Sequence, residues 1–190
     1  QTFKPKKNQR IFTAKGMASM GFGLPSTIGA SLAMNNKRSI TIIGDGGFQL
    51  NVQELQTIRS NNIKTKIFIL QNKGYHAIRV TQDTYFKKKY VGSSESSGVS
   101  MPNFKKIAKS YNIKFSKIIN NKQIDIKLKE ILKTDVAEII EVVIDPKKHL
   151  YPKLTSQIGA NGKMSTSPLE DLYPFIDRKE LKKIMISENI

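Results

Sequence analysis

Two apolar runs that each end on a small polar residue constrain this chain more than any other feature. Ile40-Thr41-Ile42-Ile43 runs into Gly44-Asp45-Gly46-Gly47-Phe48, and Ile67-Phe68-Ile69-Leu70 runs into Gln71-Asn72-Lys73-Gly74. Short apolar runs rich in β-branched residues read as buried strands. Between them, Asn51 to Asn61 puts Val52, Leu55 and Ile58 on one face, as a helix does. Strand, helix and strand make a parallel unit whose downstream ends lie side by side. Asp45 and Asn72, 27 positions apart, are therefore expected to meet over one ligand. A magnesium ion holding a diphosphate suits that pair.

The alternation continues on both sides. Gly21 to Met34, with Pro25 suited to a first helical turn, reads as a helix buried on most sides and closed by Asn35-Asn36. Residues 75–100 show no clear period, and Gly92 to Gly98 is a loop by composition. Downstream come a helix at Asn103–Tyr111, a short strand at Ser116–Ile119, a helix at about Lys122–Leu132 and a strong strand at Ala137–Ile144. This predicts an α/β fold, a three-layer sandwich around a mainly parallel sheet. Three segments are expected: a basic strap or linker at 1–15, the α/β domain at 16–150, and an extended tail at 151–190. The tail should pack over the domain and finish in a helix from Arg178 to Ile186.

Composition narrows the classes. At 190 residues the chain can bury a sizeable core. It has no apolar stretch near the ~20 residues of a membrane helix and no signal-peptide core. It contains no cysteine, which excludes disulfides and thiol catalysis and fits a reducing cytoplasm. The first residue is Gln1, which favours a chain cut from something longer. The net charge of +17 raises a nucleic-acid-binding module as the rival of a different class. Lysines spread along the whole chain favour solvated faces instead; only Lys4 to Arg10 and Lys87-Lys88-Lys89 cluster, with no aromatic-studded basic strand.

The chemistry follows from residue types. Mg2+ takes six oxygens and leaves room for phosphate and water. Asp45, the Asn72 amide oxygen and a nearby main-chain carbonyl supply three. One carboxylate is enough, because a diphosphate brings its own negative charge. Gly46 and Gly47 let backbone N–H groups approach a phosphate, and a helix starting near Asn51 would point its positive end there.

Gly44-Asp45-Gly46 followed at this distance by Gln71-Asn72 resembles the motif of thiamine-diphosphate (ThDP)-dependent enzymes, Gly-Asp-Gly and then Asn-Asn. Gln71 replaces the first Asn; Asn72, at the metal-ligand position, is intact. Gly16-Met17-Ala18-Ser19-Met20-Gly21-Phe22-Gly23-Leu24-Pro25 resembles a block of the acetolactate-synthase-like branch. The resemblance covers roughly residues 10–150, the diphosphate-binding (PP) domain. It implies ThDP and Mg2+ as cofactors, with Asp45, Asn72 and the Gly74 carbonyl on the metal. It implies that Gly44, Gly46, Gly47, Gly74, Tyr75, His76 and Ala77 line the cofactor. Ala18, Ser19 and Met20 would hold its aminopyrimidine, with Met20 wedged between the two rings; periodicity alone would put Met20 in the core. Ile78 matches a position near the reactive carbon. His76 faces either the substrate or solvent, Arg79 is either an anion contact or a surface residue, and His149 is structural.

The implied activity is decarboxylation of a 2-keto acid, pyruvate first, and transfer of the two-carbon unit to a carbonyl acceptor. The implied partner is a pyrimidine-binding (PYR) domain, in the same or a neighbouring chain of a homo-oligomer, carrying the catalytic Glu. Without it this chain alone should be catalytically silent. Three forms stay open: the C-terminal part of an acetolactate-synthase-like carboligase, a branch enzyme adding two carbons to a keto-sugar, or the PP subunit of a two-chain 2-keto acid decarboxylase. Ser167 to Pro174 and Gly74 to Gln82 resemble members from nucleotide-sugar and surface-polysaccharide pathways. Acetolactate synthases usually carry a Trp near the second segment. This chain has none, which weakens the expectation of acetolactate as product.

Overall fold

A computed structural model of the chain describes residues 3–14, 16–148, 151–158 and 162–185. The chain divides into two compact units, Gln1–Pro146 and Lys147–Ile190. In the first, the elements run α1 (Gly23–Ala33), β1 (Ser39–Gly44), α2 (Asp45–Gln49), α3 (Glu54–Ser60), β2 (Thr65–Gln71), α4 (His76–Tyr85), α5 (Phe104–Ser110), β3 (Lys114–Ile118), α6 (Ile124–Leu132) and β4 (Glu138–Val143). The four strands form one parallel sheet in the order β1-β2-β4-β3.

Two apolar layers sandwich the sheet. On one face Leu24 and Ile28 of α1, Phe48 of α2, Leu55 and Ile58 of α3, and Phe104 and Ala108 of α5 close over Ile43, Ile67, Ile69 and Ile139. Phe48 and Phe104 meet edge to face at 5.6 Å. On the other face Ile131 of α6 packs on Ile118 and Ile140, flanked by Phe68, Ile124 and Val142. Each fully buried side chain of this size contributes about 1.5–3 kcal/mol, which makes these layers the main stabilising term. The expected three-layer α/β architecture is the observed one.

Four local expectations need correction. β1 is not buried on both faces. Ser39, Thr41 and Ile43 are buried while Ile40 and Ile42 are exposed, Ile42 at 67%, because β1 is an edge strand with α1 on one side only. The helix expected at Asn51–Asn61 is one shorter helix, and a further helix precedes it. α2 starts at Asp45 itself, and α3 starts at Glu54 after a turn. Residues 75–100, read without a period, contain the ten-residue α4. Lys66, counted with the solvated lysines, is fully buried and ion-paired to Glu138 at 2.9 Å. Among the described residues no helix is long and apolar enough to cross a membrane.

The second unit holds an antiparallel pair, β5 (Ser156–Ile158) with β6 (Met164–Thr166), and α7 (Arg178–Ile184). Asp177 caps α7 by accepting the N–H groups of Lys179 and Glu180. Arg178 grips Asp171 with two hydrogen bonds of 2.6 and 2.9 Å. The expected terminal helix thus ends at Ile184; Ile186 and His149 lie outside the described residues.

Candidate active site: the downstream corner of β1 and β2

The register pairs Gly44 with Leu70, so the residues just beyond, Asp45 and Asn72, leave the sheet side by side. Asp45 is 1% exposed. Its Oδ1 accepts the Gly46 N–H at 2.9 Å; its Oδ2 accepts those of Asn72 at 3.0 Å and Gly74 at 3.2 Å. Burial raises its pKa above 3.8, and hydrogen bonds from the Gly74, Gly46, Asn72 and Lys73 backbone pull the other way. No cationic side chain is among its partners in the described residues. A buried carboxylate held only by neutral donors keeps a strong local attraction for a cation.

The loop after β2 is wound tightly. Lys73 and Gly74 have φ of +62° and +136°. A Cβ on Gly74 would overlap the Ser93 carbonyl, so glycine is required there. Tyr75 donates its N–H to that same carbonyl at 2.9 Å, and Gly74 bridges Ser94. Arg79, on α4, does not project as a free anion contact. Its guanidinium donates to the carbonyls of Asn72, Lys73 and Ser93 and to Asn72 Oδ1.

A Cβ on Gly46 would overlap the Tyr75 ring and come within 3.4 Å of the Met20 methyl. Met20, Gly46 and Tyr75 are therefore stacked beside Asp45. Met20 is 47% exposed, so it is not the core residue that periodicity implies. Gly21 places its carbonyl on the Asn51 amide at 2.9 Å, which ties the 16–22 segment to the turn after α2. The Gly46 N–H is engaged by Asp45, and a Cβ on Gly47 would make only an ordinary 3.5 Å contact with Ile43. A Cβ on Gly44 would meet nothing within 4 Å. The structure brings Met20, Asp45, Gly46, Asn72, Gly74 and Tyr75 together. Ala18, Ser19, Ala77 and Ile78 are exposed, and His76 opens α4 half-buried.

The donor set can be tested against the implied metal. Among the described residues no three His, Asp or Glu side chains cluster. A cation at Asp45 would rely on one carboxylate, the Asn72 amide oxygen and main-chain carbonyls. That hard, oxygen-only set fits Mg2+ shared with phosphate oxygens. The residues present fit the group. Sequence reasoning placed Arg79 as an anion contact or a surface residue and missed its grip on this loop; Gly74, a turn residue just after the strand, was the one signal that the backbone folds back there.

Comparison with known proteins identifies the family. Residues 1–142 match the family model "Thiamine pyrophosphate enzyme, C-terminal TPP binding domain". The acetolactate synthase large subunit of Lactococcus lactis is 37% identical over 160 residues, 84% of this chain and 27% of that protein. The probable acetolactate synthase large subunit of Methanocaldococcus jannaschii is 36% identical over 148 residues, 78% of this chain and 24% of that protein. The thiamine diphosphate-dependent 4-hydroxybenzoylformate decarboxylase of Rhodococcus jostii RHA1 superposes with a TM-score of 0.59 at 27% identity, covering 66% of this chain and 23% of that one. The chain thus spans about a quarter of the length of the relatives it matches. These relatives give the nucleic-acid reading no support. With the Asp45–Asn72 corner and a family match over three quarters of its length, the chain belongs to the thiamine pyrophosphate enzymes, as their C-terminal TPP-binding domain.

Proposed function

We propose that this chain is the cofactor-anchoring part of an acetolactate-synthase-like enzyme that decarboxylates a 2-keto acid, pyruvate first, and passes the two-carbon unit to a carbonyl acceptor. One observation carries the reading: a buried carboxylate, Asp45, held only by neutral donors, with Asn72 at the end of the adjacent parallel strand. Asp45, Asn72 Oδ1 and the Gly74 carbonyl hold Mg2+. Gly44, Gly46, Gly47 and the Gly74–Ala77 segment line the cofactor. Ala18, Ser19 and Met20 support the aminopyrimidine, and His76 and Ile78 border the substrate. When bound, ThDP supplies an electron sink for the decarboxylation, and the protein supplies position and electrostatics.

The functional domain is 16–150, with 1–15 as a strap and 151–190 as a tail. A PYR domain of the same or a neighbouring chain completes the site in a homo-oligomer, and the cysteine-free composition fits the cytoplasm. Names of the relatives support acetolactate synthase chemistry, while the absence of Trp favours a different acceptor. Calorimetric titration of the full-length protein with ThDP tests the anchor. Binding should require Mg2+ and vanish in Asp45→Ala; undiminished Mg2+-dependent affinity in that variant would refute the assignment.

A further inference from the structure

Among the described residues Arg79 is the cationic side chain hydrogen-bonded into the candidate corner, and its donors are already committed. Nη2 donates to the Asn72 carbonyl at 2.8 Å and to Asn72 Oδ1 at 3.3 Å. Nη1 donates to the Lys73 and Ser93 carbonyls, both at 3.2 Å. Two N–H groups on each nitrogen meet four acceptors, so the fork has no donor left for a substrate anion; only the Nε–H remains. The main-chain N–H of Arg79 anchors to the Tyr75 carbonyl at 3.0 Å, inside the first turn of α4. One turn on, Gln82 accepts the Ser93 hydroxyl at 2.8 Å and donates to the Val91 carbonyl at 2.8 Å. One face of α4 therefore grips both the 72–74 loop and the 91–93 loop.

We propose that Arg79 is a positioning residue for the metal: its fork locks Asn72-Lys73-Gly74 against Ser93 and so fixes the oxygens that this corner presents beside Asp45. The inference rests on the metal assignment above and adds what holds it in shape. Lys73 and Gly74 occupy left-handed backbone, where the turn crowds its carbonyls together. A guanidinium offset against three carbonyls holds that arrangement in a way a solvated loop does not. An amide oxygen has two lone pairs, so Asn72 Oδ1 can accept from Arg79 with one and face a cation with the other. A lysine cannot replace the fork, because its ammonium is a point charge without fixed planar geometry.

The test uses the full-length protein, with ThDP binding followed by calorimetry against rising Mg2+ in wild type, Arg79→Lys and Arg79→Gln. The half-saturating Mg2+ concentration should rise about 10–100-fold in both variants, as it does when partners that orient metal ligands are removed. Excess Mg2+ should restore wild-type ThDP affinity. Amide hydrogen exchange at Asn72, Gly74 and Tyr75 should quicken. Unchanged Mg2+ dependence in a folded variant overturns the inference. So does a loss of ThDP affinity that excess Mg2+ leaves unrepaired, since that puts Arg79 on the diphosphate. Arg79→Lys keeps charge and length, and so reports even where Arg79→Gln does not fold. Wild type that binds ThDP without Mg2+ would instead refute the metal assignment itself.

Discussion

Two buried carboxylates sit at opposite ends of the same sheet, and the protein treats them differently. At the upstream end Glu138 pairs in register with Lys66 and Lys114. Its Oε2 accepts from Lys66 at 2.9 Å and lies 3.5 Å from the Lys114 ammonium, while its Oε1 accepts the Ser116 hydroxyl at 2.5 Å. Lys66 also donates to Thr134 at 3.1 Å. At the downstream end Asp45 receives three backbone N–H groups and no cationic side chain. Glu138 has its counter-charge built in; the field of Asp45 is left for something the protein binds. A buried charge closed by the protein's own cation points to structure, and one closed only by dipoles points to a ligand.

The contrast can be broken at either end. The largest effect is expected at Glu138. Glu138→Ala strands the fully buried Lys66 ammonium and should cost about 3–5 kcal/mol by chemical denaturation. A Lys66→Met/Glu138→Leu double variant should recover most of it. If Glu138→Ala proves nearly neutral, the upstream pair is not the closed ion pair described. Next comes linkage at Asp45: ThDP and Mg2+ at about 100 times their Kd should stabilise the wild-type fold by about 2.7 kcal/mol, and Asp45→Ala not at all. A ligand-induced rise in melting temperature that survives in Asp45→Ala would erase the distinction.

The smallest effect compares aspartates with opposite shifts. Arg178 hydrogen-bonds Asp171 and holds its pKa below the usual 3.8, whereas burial lifts that of Asp45. A lowered carboxylate pKa adds stability above the unfolded value, and that contribution is lost as pH falls through the folded one. The Asp171 carboxyl carbon resonance should thus titrate below 3.8 and move upward in Arg178→Ala. A midpoint that stays in place would show that the fork with Arg178 is not the cause.

The sequence made the sheet legible because β1 and β2 carry short β-branched apolar runs, and the Gly-Asp-Gly and Gln-Asn exits mark their ends. What it hid follows from physics too. α4 contains no fully buried residue, so no core contact anchors it; polar grips from Arg79 and Gln82 place it instead. α2 is five residues long with two glycines, too short for a period and too rich in glycine for propensity. Lys66 read as one more solvated lysine, because the Glu138 that neutralises it lies 72 positions away. Arg79 was visible, but a sequence does not show three carbonyls turned toward one guanidinium.

The spacing of these two pairs also bears on the order in which the domain assembles. Asp45 reaches Asn72 across 27 positions, whereas Lys66 reaches Glu138 across 72. Closing the shorter loop is cheaper by about 0.9 kcal/mol of chain entropy, from the logarithmic dependence on loop length. Both pairs join neighbouring strands, but β4 must insert between β2 and β3. Loop-closure entropy must be paid before a contact rewards it, so contacts of low sequence separation are reached faster. The corner that carries the site is therefore expected to form before the strand that completes the sheet arrives, which pulse-labelled hydrogen exchange during refolding would check.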